Sequence, residues 1–76
     1  MTTLSNLTRR EVEILRLLIA GYTNKSIAAA IRISEKTVEF HLDNIYRKLG
    51  VRTRVLATVW AAQQGLSPAD PEDTSS

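Results

Sequence analysis

The chain has 76 residues and no cysteine. That excludes a disulfide framework and any thiolate metal site. A single histidine, His41, has no second imidazole to share a metal with. No apolar run approaches the roughly 20 residues of a membrane span. The opening Met1-Thr2-Thr3 has neither the basic region nor the apolar stretch of a secretory signal. A cytoplasmic location is the expectation compatible with these features. No glycine-rich phosphate loop, no carboxylate pair in a pocket-forming context and no nucleophile with a base can be found. Enzyme chemistry is therefore the weakest functional class.

What remains is a small domain with modest expected stability. Apolar residues make up 43% of the chain, an ordinary globular share. The net charge of +2 is unevenly placed. Residues 1–66 hold all ten Lys and Arg against five Asp and Glu, hence +5, whereas residues 67–76 hold Asp70, Glu72 and Asp73, hence −3. A basic helical domain often faces phosphate, although a charge this mild also suits a solvated surface.

Capping signals and apolar periodicity predict an all-α domain of four helices. Thr8 and Glu11 form a capping box for the first, with Leu7 and Val12 as its staple. It carries Val12, Ile14, Leu15, Leu18 and Ile19, and Gly21 closes it. Thr23 caps a short second helix with Ile27, Ala28 and Ile31, and Tyr22 and Ile27 are its staple. The spacing from Ile31 to Ser34 leaves room only for a tight turn. Ser34 caps a third helix over about 35–49, ended by Gly50. The fourth runs over about 53–64 and carries Val55, Leu56, Val59, Trp60 and Ala62, with Gly65 after it. The second and third helices read as a helix-turn-helix. Residues 1–6 are a lead, 7–66 the domain, and 67–76 an acidic tail expected to be flexible.

The third helix has an anomaly. Its core stripe is Val38, Leu42, Ile45 and Leu49, at i, i+4, i+7 and i+11. Phe40 falls nearly opposite that stripe, among Lys36, Asp43 and Arg47. An exposed ring among charges should have a partner, and a helix so placed suggests a reader of the DNA major groove.

The order Leu7-Thr8-Arg9-Arg10-Glu11, Ile14-Leu15, Gly21, Asn24-Lys25, Ile27-Ala28, Ile33-Ser34, Thr37-Val38, His41, Lys48-Leu49-Gly50-Val51 and Arg54 resembles the LuxR/NarL/FixJ family. Those are four-helix DNA-binding domains of bacterial transcription regulators. The resemblance spans about residues 4–66. It implies a third helix in the major groove, a fourth helix used for dimerisation, and paired half-sites of double-stranded DNA. A second copy of the chain and RNA polymerase are the implied protein partners. No cofactor, metal or small-molecule ligand is implied. The family usually carries a receiver or sensor domain ahead of this one. The chain is thus either an effector domain or a stand-alone small regulator.

On that resemblance Lys36, Glu39, Phe40 and Asp43 are the candidate base readers. Phe40 can touch a thymine methyl or the sugar-phosphate wall, or else pack on a neighbouring helix or a missing domain. Glu39 departs from the basic residue many family members have there. It either accepts from cytosine N4 or adenine N6, or it pairs with a nearby cation and orients it. Asp43 has the same ambiguity and can pair with Arg47 at i+4. Thr23, Lys25, Ser34, Thr37, Arg47 and Lys48 are the candidate phosphate contacts, although Thr23 and Ser34 are caps first. Arg52 or Arg54 could reach phosphate, but Arg54 reads as structural, with Glu11 as its guessed partner. His41 reads as a partly buried structural residue. Leu56, Ala57, Trp60 and Ala61 are the candidate dimer interface. A protein-interaction module with an acidic docking face is the competing reading.

Overall fold

The computed structural model describes residues 6–69. The expected helices are present as α1 (Arg9–Ile19), α2 (Asn24–Ile31), α3 (Glu35–Leu49) and α4 (Arg54–Gln63), and no strand occurs among the described residues. Helix α1 packs on α4 and α2 on α3, while α3 also touches α1 and α4.

Local chemistry accounts for the helix starts. The Thr8 hydroxyl accepts from the Glu11 N–H at 3.1 Å, and the Glu11 carboxylate accepts from the Thr8 N–H at 2.9 Å. Helix α2 starts on the same reciprocal device, built from Thr23 and Ser26. Ser34 and Thr53 cap α3 and α4, each accepting from a backbone N–H three residues on. Each such cap contributes about 1 kcal/mol.

The helix ends share one geometry. After each helix a residue with positive φ is followed by a residue whose N–H donates five positions back. These bonds are Tyr22 to Leu17, Ile33 to Ala28, Val51 to Tyr46 and Leu66 to Ala61, at 3.0–3.1 Å. The four donors also pack their side chains on the core, the apolar contact expected of this closure. Gly21, Gly50 and Gly65 supply the positive φ at three of the ends. At the fourth, inside the helix-turn-helix turn, the residue is Arg32, at φ 60° and ψ 47°. A side chain there costs about 1–2 kcal/mol against right-handed backbone.

The core contains Ile14, Leu15, Ile27, Val38 and Ile45 at full burial, with Leu17, Leu18, Ala28, Leu42, Ala57 and Ala61 around them. Each large member contributes about 1.5–3 kcal/mol. The third-helix stripe is as expected, with Leu49 half-buried at its end.

Helix α4 departs from the expectation. Its inward residues are Ala57 and Ala61, both 0% exposed, while Val55, Leu56 and Val59 face solvent. Ala57 and Ala61 therefore cannot serve as dimer contacts. They let α4 approach closely, and their small side chains are already covered.

Residues 67–69, expected as part of a flexible tail, are held against α1. The Ala69 N–H donates to the Arg16 carbonyl at 2.9 Å, and Arg16 Nε donates to the Ser67 carbonyl at 3.2 Å. Leu66 and Ala69 pack against the core. Residues 67–69 thus close the end of α1. The remainder of the expected tail, and all but Asn6 of the expected lead, lie outside the described residues.

Candidate nucleic-acid interface

The helix-turn-helix presents the outer side of α3. Because Val38, Leu42 and Ile45 are held in the core, the residues half a turn away project outward. Lys36, Glu39, Phe40 and Asp43 line one shallow depression there. The spacing from Lys36 to Phe40 and from Glu39 to Asp43 is four, which stacks the pairs on one side of the helix. Phe40 is 63% exposed, so it is not a core residue of this domain. Its ring meets His41 edge-on, with centroids 6.1 Å apart and planes at 62°. His41 is half-buried, as expected.

The charges beside Phe40 are not neutralised within the domain. Among the described residues the ion pairs are Arg10–Glu13 at 3.2 Å and Lys48–Glu11 at 2.8 Å. Asp43 and Arg47, which could pair at i+4, form no ion pair. Lys36, Glu39, Asp43 and Arg47 are all exposed. Lys25 is also exposed, in the first turn of α2. That end of a helix adds a positive dipole to the lysine charge.

The candidate hydroxyls are engaged but not exhausted. The Ser34 and Thr37 oxygens lie 2.9 Å apart, and Ser34 accepts from the Thr37 N–H. One hydroxyl hydrogen satisfies that pair and the other is free to donate. At α2 the Ser26 hydroxyl donates to the Thr23 carbonyl at 3.1 Å. The Thr23 hydroxyl then donates to the Ser26 oxygen at 3.1 Å, so a contact to an anion would have to displace that bond.

Lys48 and Arg54 have partners that were not expected. Lys48 is a strut: its Nζ reaches across to Glu11, whose side chain is 6% exposed. Burial pushes the Glu11 carboxyl up. The Lys48 ammonium and the Thr8 hydrogen bonds more than reverse this, and the net pKa lies below its ordinary value of 4.5. Lys48 thus has a partner within the domain while its side chain remains partly exposed. Arg54 is structural as expected, but its partner is not Glu11. It donates to the Tyr22 carbonyl at 3.3 Å and to the Asn24 side-chain oxygen, which ties the start of α4 to the start of α2. Ser26 was missing from the sequence reading, and Asn24 entered it only as part of the family resemblance, with no role. A Thr-x-x-Ser spacing at the helix start was the available signal for Ser26. Nothing in the local pattern marked Asn24.

The exposed apolar residues of α4 form a second outer face. Val55 is 68% exposed, Leu56 49% and Val59 47%. Trp60, a candidate interface residue, is half-buried against the core. Val55 and Val59 were not among the expected interface residues.

Comparison with known proteins agrees with this arrangement. Residues 5–61 match the family described as "Bacterial regulatory proteins, luxR family". The nitrate/nitrite response regulator protein NarP of Escherichia coli is 50% identical over 60 residues, covering 79% of this chain and 28% of the relative. The transcriptional regulatory protein DegU of Brevibacillus brevis is 48% identical over 59 residues, covering 78% of this chain and 25% of the relative. The response regulator protein VraR of Staphylococcus aureus is 48% identical over 60 residues, covering 79% of this chain and 29% of the relative. The chain thus spans under a third of the length of these relatives. Four helices, a helix-turn-helix with an outward-facing third helix, and a match over most of the described residues converge, and the chain belongs to the luxR family of bacterial regulatory proteins, a family of DNA-binding transcription regulators.

Proposed function

We propose that this chain binds double-stranded DNA as a pair of copies, with α3 in the major groove and α4 joining the copies. The observation that carries the reading is Phe40. It is a large ring, 63% exposed and ringed by charges, on the outer face of the second helix of a helix-turn-helix. The major groove admits one α-helix and offers both thymine methyls and polar base edges, which suits such a mixed face. Lys36, Glu39, Phe40 and Asp43 lie nearest the bases. Thr23, Lys25, Ser34, Thr37 and Arg47 hold phosphates, with Lys25 acting together with the α2 terminus. Lys48 supports the site from behind, through Glu11.

Helix α4 supplies the second contact. Val55, Leu56 and Val59 are aliphatic and exposed, and they have nothing to offer a polyanion. Burying them against a second copy removes apolar surface from water. Activity of the longer proteins, including contact with RNA polymerase, belongs to this proposal only as an extension of it.

The test is titration of the purified chain with bulk duplex DNA at several salt concentrations. The proposal expects binding at low salt that weakens steeply as salt rises, in proportion to the phosphates neutralised. Absence of bulk binding at low salt would reject it in favour of a protein-docking role for the same face.

A further inference from the structure

We infer that Glu39 makes this domain select a cytosine at one position of its site. The inference rests on the duplex-binding reading above and goes on to assign a base. Two roles were open for Glu39: accepting from a base, or orienting a neighbouring cation. The structure bears on that choice. Glu39 has Lys36 three residues before it and Asp43 four after it, yet it forms no ion pair among the described residues. Lys36 and Glu39 line the same depression as Phe40 without pairing. The carboxylate is exposed and open to a donor from outside.

An open carboxylate in a groove flanked by phosphates is repelled unless a donor meets it. The major groove offers two such donors, the exocyclic amines of cytosine and adenine. They differ in what lies beside the amine. In adenine the neighbour is N7, an acceptor that opposes the second carboxylate oxygen. In cytosine it is the C5–H edge, which carries no lone pair. A carboxylate, having only acceptors, therefore favours cytosine.

Phe40 fits the same base class. It follows Glu39 in sequence and lines the same depression. An apolar ring suits the C5 edge of a pyrimidine, methylated or not, and has no use for a purine N7. Lys36, four residues before Phe40 on this face, has donors only and suits guanine O6 and N7. The three side chains together describe a C·G pair with a pyrimidine step beside it. Asp43, one turn further on, is acceptor-only as well and excludes bases that present only acceptors at its own position.

The test compares the wild-type chain with Glu39→Gln, each selecting from random duplex DNA at low salt, with sequencing of the bound pool. Glutamine keeps the size of the side chain but adds donors, so it can meet adenine N6 and N7 together. The expected result is that wild type enriches cytosine at one base pair of each half-site. Glu39→Gln should lose that preference by about tenfold and shift it toward adenine, with all other positions unchanged. Its affinity for bulk duplex should rise, because a negative charge is gone. If Glu39→Gln gains bulk affinity but enriches the same bases as wild type, Glu39 reads no base and the inference is overturned. If wild type itself enriches no sequence and binds no bulk duplex, the DNA-binding reading fails, and this inference with it.

Discussion

Helices α3 and α4 each place one side on the core and the other in solvent, but they divide their residues in opposite ways. Helix α3 turns Val38, Leu42 and Ile45 inward and keeps charges and a single ring outside. Helix α4 turns Ala57 and Ala61 inward and leaves Val55, Leu56 and Val59 outside. The core therefore takes its bulk from α3 and only proximity from α4. The outer faces differ accordingly. One offers donors, acceptors and a ring, which suits base edges and phosphates. The other offers aliphatic surface, which suits another protein surface. Two neighbouring helices of one small domain thus present two chemically different outer faces.

The largest effect that can break this comparison comes from adjacent residues of α4. Ala57→Asp places an unpaired charge at a fully buried position and should cost about 3–5 kcal/mol, enough to unfold a domain of this size. Leu56→Asp, one residue earlier on the exposed side, should change stability by less than about 0.5 kcal/mol. Urea melts followed by far-ultraviolet circular dichroism separate the two. Equal destabilisation would mean that α4 has no distinct outer face.

Next in size is Lys48→Met, which tests the strut behind α3. It leaves the Glu11 carboxylate buried with only Thr8 as partner and should cost about 1–3 kcal/mol at neutral pH. In the wild type the folded pKa of Glu11 lies below its ordinary 4.5. Its contribution is thus present above about pH 4.5 and is lost as pH falls through the folded value. In Lys48→Met burial is no longer opposed by the ammonium, so this acid-side loss should shrink. Melts at neutral and acid pH read the difference. DNA affinity should fall little once measurements are confined to the folded fraction. A large loss there would return Lys48 to the phosphate contacts.

Phe40→Ala separates binding from folding on α3 itself. The ring is exposed, so stability should change by no more than about 0.5 kcal/mol. Duplex affinity should fall by roughly tenfold. A melt that collapses, or an unchanged affinity, would each contradict the role given to this face. The smallest effect is expected at Arg32, where Arg32→Gly relieves the left-handed backbone and should stabilise by about 1 kcal/mol.

The features legible in the sequence were the local ones. Thr8 with Glu11, Thr23 before α2 and Ser34 before α3 mark starts because capping depends on residues three apart. The stripe from Val38 to Leu49 marks a face because its four positions are apolar and the opposite side is mostly charged. The same logic failed on α4. Apolar residues occur on both sides of that helix, and only the close approach of α1 decides that alanines go inward. Long-range pairings were also hidden. Glu11 and Lys48 are 37 positions apart, and Arg54 and Asn24 are 30 apart. Arg32 gave no warning of its positive φ, because an arginine follows the helix where the other three ends have glycine. The hold on residues 67–69 runs through backbone carbonyls, which every sequence possesses.

The central claim is that α3 reads duplex DNA while α4 pairs the copies. It is tested most directly by sequencing duplexes selected at low salt by the wild type and by Leu56→Asp. The account predicts a two-fold symmetric motif for wild type, with half-site centres about one helical turn (10–10.5 bp) apart or a multiple of it. For Leu56→Asp it predicts single half-sites with the same bases. A symmetric motif that survives Leu56→Asp, or bases that change with it, would contradict the separation of the two faces.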